Sequence, residues 1–475
     1  MPVGRYLLWS AVLVAAVALP GPALALDTGD ARHLLARSGF AADPARIETL
    51  DGLSRTEAVA AILERAGDTA VSAPPDWEAD WKPAKRAGMN EAERLALRDT
   101  QREQGRELKA WWLNEMRVSP TPVTEVMTLF WHNHFTSSLK KVKAPALLYR
   151  QNVLLRRHAL GNFADMLHAI ARDPAMLVYL DNARSRKQAP NENFARELLE
   201  LFTLGEGYYL ETDLQEAARA FTGWSLDPDS GTFRYRAAWH DDGEKQILGH
   251  SGAFDGDAVI DLLLARPETA ELIVDKLWRQ FISEQPDPLE VAHLAALFRS
   301  GGYEIKPLLT ALFTSEAFWA PENRGRLIKS PVDLVVGTLR LFDLPVGDNR
   351  DLAWLTRRLG QDVLDPPDVK GWPGGTAWIT GASLLDRQSL IARLTGAMQD
   401  QAMQASATEM AASKENRRAA FFDRWLAGLP ANRQSAEAVT RLVLPIAPVD
   451  AAVLDRQASG ALLRSLLADP AYHLK

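Results

Sequence analysis

No cysteine occurs among the 475 residues, and that single absence limits what this chain can fold into more than any other feature. It removes disulfides, thiol nucleophiles, thiolate metal ligands, covalently attached haem and lipoprotein modification together. The fold must be held by its apolar core alone, and a chain of this length that is 47% hydrophobic can bury a large one. The constraint matters because residues 1–25 have the order of a secretory signal. Arg5 precedes an apolar run from Tyr6 to Leu19, and the small-residue site Ala23-Leu24-Ala25 follows. The run is shorter than the ~20 residues a membrane-spanning helix needs, and Pro20, Gly21 and Pro22 break it. Cleavage after Ala25 is therefore expected, leaving an exported, periplasmic or extracellular chain with no membrane span. A formal charge of -7 and a pI near 5.8 argue against a nucleic-acid partner, which needs a basic surface.

The periodicity is helical almost throughout, so the expected class is mostly α: a multi-helical globular bundle. Asn90 with Glu93 makes a capping-box signature, and a long helix should follow to Arg117. Thr121 and Pro122 open a helix that carries Val123, Val126, Met127, Phe130 and Trp131 inward. Further helices are expected at 144–160, 163–172, 191–204, 213–221, 267–282, 289–299, 306–318, 331–341 and 383–397. Gly205 and Gly223 stop two of them, because a left-handed C-terminal residue prefers glycine. Trp77 and Trp81 lie in a proline-rich loop that they are placed to pin to the body.

Near residues 225–252 the texture changes. Thr232 to Arg236 alternates at period two with Asp, Gly and Pro around it, which points to a small β-hairpin or irregular insertion. Residues 26–400 are expected to form the main helical domain. Residues 401–475 begin with a polar stretch and continue as a C-terminal helical segment packed on or appended to it.

Four segments could carry chemistry. Projected at ~100° per residue, the helix from Asn191 to Thr203 separates an apolar face from one bearing Glu192, Asn193, Arg196, Glu197 and Glu200. Glu192, Arg196 and Glu200 are spaced so that the guanidinium would bridge both carboxylates. That face is either a solvated salt-bridged surface or a cleft wall with Glu197 as ligand or general base. In Trp131-His132-Asn133-His134-Phe135, the two histidines would point ~200° apart on a continuing helix and could not chelate one ion together. Trp239-His240-Asp241-Asp242 suits a metal ligand, a catalytic pair or a turn. Lys370-Gly371-Trp372-Pro373 and Trp378 form a loop that either stacks sugar rings or is pinned by its own tryptophans. Serine-hydrolase, zinc-protease, Walker and dinucleotide signatures are absent.

Phe130 to Phe135, Asn191 to Gly205, Ala218 to Trp224, His240-Asp241 with Lys245, Lys329-Ser330-Pro331 and Val369 to Pro373, in this order, resemble a bacterial family known as domain of unknown function number eighteen hundred. The resemblance covers nearly the whole mature chain. It implies export, and a second protein encoded nearby that looks like a sulfatase or alkaline phosphatase, hence a shared task on acidic or sulfated glycans. It also implies that position 132 is free while Asn133 and His134 belong to the motif. Two functions follow as expectations. One is a metal-assisted hydrolase of a polar, glycan-like substrate, with His134, Arg196, Glu197 and Asp241 catalytic and a divalent metal held by His134, Glu197 and His240. In it Asn133, Asn193, Lys370, Trp372 and Trp378 would bind substrate. The other is a non-catalytic binding or assembly partner of the sulfatase-like protein.

Overall fold

A computed structural model describes residues 25–85, 87–344, 346–392 and 422–475. The expected signal up to Leu24, the end of the expected helix 383–397 and the polar stretch after Asp400 lie outside the described residues. The chain is mostly α-helical, with two small two-stranded sheets. Among the described residues no helix is long and apolar enough to cross a membrane.

Helices begin where the sequence supplies a cap. Asn90 accepts from the Glu93 N–H at 2.9 Å while Glu93 accepts from the Asn90 N–H at 2.8 Å, opening the 28-residue helix Glu91–Val118. Ser330 and Asp333 do the same for Pro331–Leu341. Gly205 and Gly223 adopt φ of 91° and 83° where the preceding helical segments stop. The expected helix 306–318 is divided. Ser315 turns extended between Ile305–Thr314 and Glu316–Trp319 and caps the second piece through the Phe318 N–H at 3.2 Å, the competition between serine and helix backbone that favours caps. Helices Gly256–Ala265 and Asn349–Arg358 were not anticipated.

The β insertion consists of two separate antiparallel hairpins. Trp224–Leu226 pairs with Phe233–Tyr235, and Lys245–Ile247 with His250–Gly252. Trp77 ties its loop down by donating to Glu107 at 2.8 Å.

One apolar core runs from Leu26 to Tyr472 and is dense in aromatic rings around Trp131, Phe135, Phe163 and Phe202. Residues 422–475 contribute Phe422, Leu462, Leu466 and Tyr472 to it. Their last turn is tied to the segment before Pro331, with Lys329 N–H donating to His473 O at 2.8 Å and Ile328 bridging Leu474. Inside the core, Arg156 and Glu125 form a two-pronged ion pair at 2.6 and 2.9 Å.

Candidate functional site

The motif helix is not uniform. Asn191 caps it by accepting from the Asn193 N–H at 2.8 Å, and α-helical winding lasts from Glu192 to Glu197. A π-helical turn, Leu198–Thr203, follows, in which Leu204 N–H reaches back five residues to Leu199 O at 2.9 Å. Such turns are rare and concentrate at functional sites. The wider winding rotates the second half of the helix, which corrects the expected charge bridge. Arg196 pairs with Glu192 at 3.6 Å and with Glu211 at 3.1 Å. Glu200 instead accepts from the Tyr209 hydroxyl at 2.9 Å.

Two side chains from other helices meet the carbonyls of this turn. His134, the last residue of the helix Pro122–His134, lies with Nε2 3.2 Å from Phe202 O. Lys276 Nζ donates to Leu201 O at 2.9 Å and lies 2.9 Å from His134 Nδ1. The ring is thus the tautomer that donates from Nε2 and accepts at Nδ1. Burial first, and then the adjacent ammonium, keep the imidazole neutral. Burial pushes the Lys276 amine down to about 8, with Asp275 opposing. Lys276 was missed from sequence; its signal is a lysine three residues after Ile273, on the side of Pro267–Phe281 that buries Ile273 and Leu277.

His132, on the opposite side of the same helix, is buried between Trp112 and Trp372. Asn133 between them is a latch. Its Oδ1 accepts from the Trp372 N–H at 2.7 Å. Gly371, at φ 82°, approaches so closely that a Cβ there would lie 2.2 Å from Asn133 Oδ1. Trp372 and Trp378 are 5% and 7% exposed. Their faces are covered, which corrects the expectation that they stack sugar rings: the loop is pinned by its own tryptophans. Lys370 beside them is exposed and pairs with Glu206 at 3.3 Å. Asn193 donates to Leu180 O at 3.3 Å.

Glu197 differs from its neighbours. It is only 9% exposed, and no hydrogen bond reaches its carboxylate from the described residues. Burial and then Glu200 raise its pKa, with Arg196 and Lys370 opposing. Tyr179 lies within electrostatic reach of Glu197, Asp368 and Asp365, and burial is the main cause pushing its hydroxyl up to about 12.

His240 and Asp241 are tied into a different turn. His240 is buried with Nδ1 2.9 Å from Thr222 O. Asp241 receives Arg219 at 2.8 and 3.1 Å, which with the Gly243 N–H holds its carboxyl down at about 2 despite partial burial. Lys245 Nζ donates to Asp241 O at 2.6 Å and to Gly243 O at 3.0 Å. These are the bonds of a locked turn. The expected metal trio His134, Glu197 and His240 is therefore corrected. Among the described residues no three His, Asp or Glu side chains gather to hold an ion, and both ring nitrogens of His134 are engaged.

A groove of about 1140 Å³ lies elsewhere, between the long helix Glu91–Val118, the segment Leu139 to Pro145 and the helix Asn349–Arg358. Arginines and lysines dominate its wall, while its two carboxylates, Asp362 and Asp365, are both taken by Lys109. Arg94, Arg98, Arg102 and Arg106 recur every fourth residue and so share one exposed helix face. Arg102 and Arg106 pair with Asp99 and Glu103 on their own helix. Among the described residues Arg94, Arg98, Lys140 and Lys143 make no ion pair. The spacing was visible in the sequence; the overall negative charge hid its meaning.

The fold and these surfaces define a mostly α-helical protein with a locked polar motif core and an open cationic groove. The chain belongs to the family described as protein of unknown function (DUF1800), whose model matches residues 33–474. No curated protein and no solved structure matches it.

Proposed function

We propose that this protein is an exported envelope protein that holds an acidic or sulfated glycan chain along the basic groove and does not itself cleave it. The supporting observation is the exposed arginine row Arg94, Arg98, Arg102 and Arg106 facing Lys140 and Lys143 across a groove large enough for a chain segment. In α-helical geometry each four-residue step advances about 6 Å, so the row offers anchors over about 18 Å. Regular anchors over that length suit a polymer of repeating anionic groups. The chain as a whole is acidic, with 61 Asp and Glu against 54 Lys and Arg, so the groove is a local field that would attract such a polymer while the remaining surface repels it. A sulfatase-like protein encoded nearby, the partner implied by resemblance, would act on the same ligand class.

The test is binding of dextran sulfate and a polyuronate, with neutral dextran and single-stranded DNA of similar length as comparisons, at two ionic strengths. The reading expects salt-sensitive binding of the anionic glycans, none of dextran, and loss in the doubly charge-reversed Arg98→Glu, Lys140→Glu variant. Equal binding by that variant, or a preference for DNA, overturns it.

A second reading rests on Glu197. A carboxyl on a largely buried side chain, with a raised pKa and no hydrogen-bond partner among the described residues, is the kind of group that serves as a general acid or base. Turnover of a glycan by the wild type and not by Glu197→Gln would favour this reading over the first.

A further inference from the structure

The segment Lys329-Ser330-Pro331 leads into the helix Pro331–Leu341 and lies among an unusual concentration of buried basic side chains. Arg32, Lys329, Arg387 and His473 are 5%, 9%, 0% and 8% exposed. They come from four separate parts of the chain: the first helix, the turn before Pro331, the helix 381–392 and the last turn. Three of the four touch directly. Arg387 Nη2 donates to Lys329 O at 2.8 Å, and Lys329 N–H donates to His473 O at 2.8 Å. Arg32 and Arg387 both act on the charge of Lys329.

Among the described residues acceptors are scarce here. Asp333 is the carboxylate of the cluster, and it is occupied by Lys475 Nζ at 2.8 Å and by the Ser330 N–H at 3.0 Å. That is the one ion pair the cluster makes among the described residues. Arg387 Nε and Nη1, Arg32 Nε and His473 Nδ1 are buried and have no hydrogen-bond partner among the described residues. Among the described residues Lys329 Nζ makes no hydrogen bond, and it lies 3.8 Å from the centre of the Tyr472 ring. Buried donors are almost always satisfied, and buried charges almost always paired. Orphaned guanidinium nitrogens of Arg32 and Arg387 beside the unpaired ammonium of Lys329 therefore point to an anionic ligand.

We propose that a compact tetrahedral oxyanion, inorganic phosphate or sulfate, binds among Arg32, Lys329, Arg387 and His473. The donor set fits such an ion. Guanidinium edges pair two oxygens at once, the ammonium supplies a point charge and the imidazole contributes an N–H. Donors from four segments suit an ion that accepts in all directions, and the burial of every donor suits a small free ion. The site is independent of the groove, which lies along other helices. Because its donors join the first helix to the last turn, the bound ion fastens the two described ends of the chain together.

The experiment begins with protein purified in chloride buffers, denatured and assayed for released anions by ion chromatography. About one phosphate or sulfate per chain is expected if the ion is retained. Titration of dialysed protein with phosphate, sulfate, chloride and nitrate at constant ionic strength, read by thermal unfolding, should show stabilisation by the tetrahedral ions alone. Arg387→Met and, should that variant not fold, Lys329→Met should weaken the effect by about tenfold or more. The proposal is overturned if no oxyanion is released and the four salts act alike, or if a folded variant responds as the wild type does.

Discussion

Lys276 Nζ lies 2.9 Å from His134 Nδ1, and both side chains serve carbonyls of the same π-helical turn. A partly buried lysine thus has neutral acceptors and no carboxylate in direct contact. Its pKa falls from 10.5 to about 8 on folding. The unfolded chain then binds the extra proton between those values, so this group's contribution makes the protein more stable as pH rises from about 8 to 10.5. Denaturant unfolding across that range should show the rise, of order 3 kcal/mol at most. Lys276→Met should abolish it.

The buried pair of Glu125 and Arg156 predicts an asymmetry. Both side chains are 1% exposed, and Trp112 also donates to Glu125 at 3.1 Å. Glu125→Leu leaves a guanidinium uncompensated in the core and should cost about 3–5 kcal/mol. The double variant Glu125→Leu, Arg156→Leu should cost less than this single one. Urea unfolding of the two variants decides it, and equal or larger loss in the double variant counts against the pairing.

Gly371 and Asn133 predict a steric lock. Gly371→Ala would combine a left-handed φ of 82° with a methyl 2.2 Å from Asn133 Oδ1, for a loss of order 1–3 kcal/mol. Asn133→Ala removes the side-chain clash but leaves the backbone oxygen of residue 133 at 2.7 Å and loses the bond to the Trp372 N–H, so the two losses should not add fully. A double-mutant cycle by thermal unfolding measures the coupling.

Glu197 and Asp241 should respond oppositely to neutralisation. The folded state raises the Glu197 pKa, so Glu197→Gln should leave stability at neutral pH unchanged or higher. The Asp241 pKa is lowered from 3.8 to about 2. Its contribution is present above about 4 and is lost as pH falls toward 2. Asp241→Asn should cost about 1–3 kcal/mol by weakening the bond to Arg219. Unfolding curves at pH 7 compare the two, and a glycan assay on Glu197→Gln then reads function free of a stability loss.

Local signals carried much of the fold. Ser330 and Pro331 set the start of a helix that runs to Leu341 as its periodicity implies, and Asn90 with Glu93 set the start of the long one. The π-helical turn was not legible, because the groups that serve its carbonyls come from His134 and Lys276, 68 and 75 residues away. Spacing projected Arg196 toward Glu200 only while the winding stayed α-helical. Trp372 and Trp378 are equally apolar whether displayed or buried, and only the latch at Asn133 decides. The arginine row was legible as spacing. Its role as a groove wall depends on Asn349–Arg358, an unforeseen helix that packs across from it.

The tie between Lys329 and His473 also couples two parts of the chain that are far apart in sequence. The last residues of the sequence place Tyr472 in the core, where its hydroxyl meets Thr338 at 2.8 Å. Peeling residues 470–475 away would open that part of the core and strip Asp333 of its ion pair with Lys475. Contacts so far apart in sequence carry a loop-closure cost before they are rewarded, so these two segments lock together late in folding.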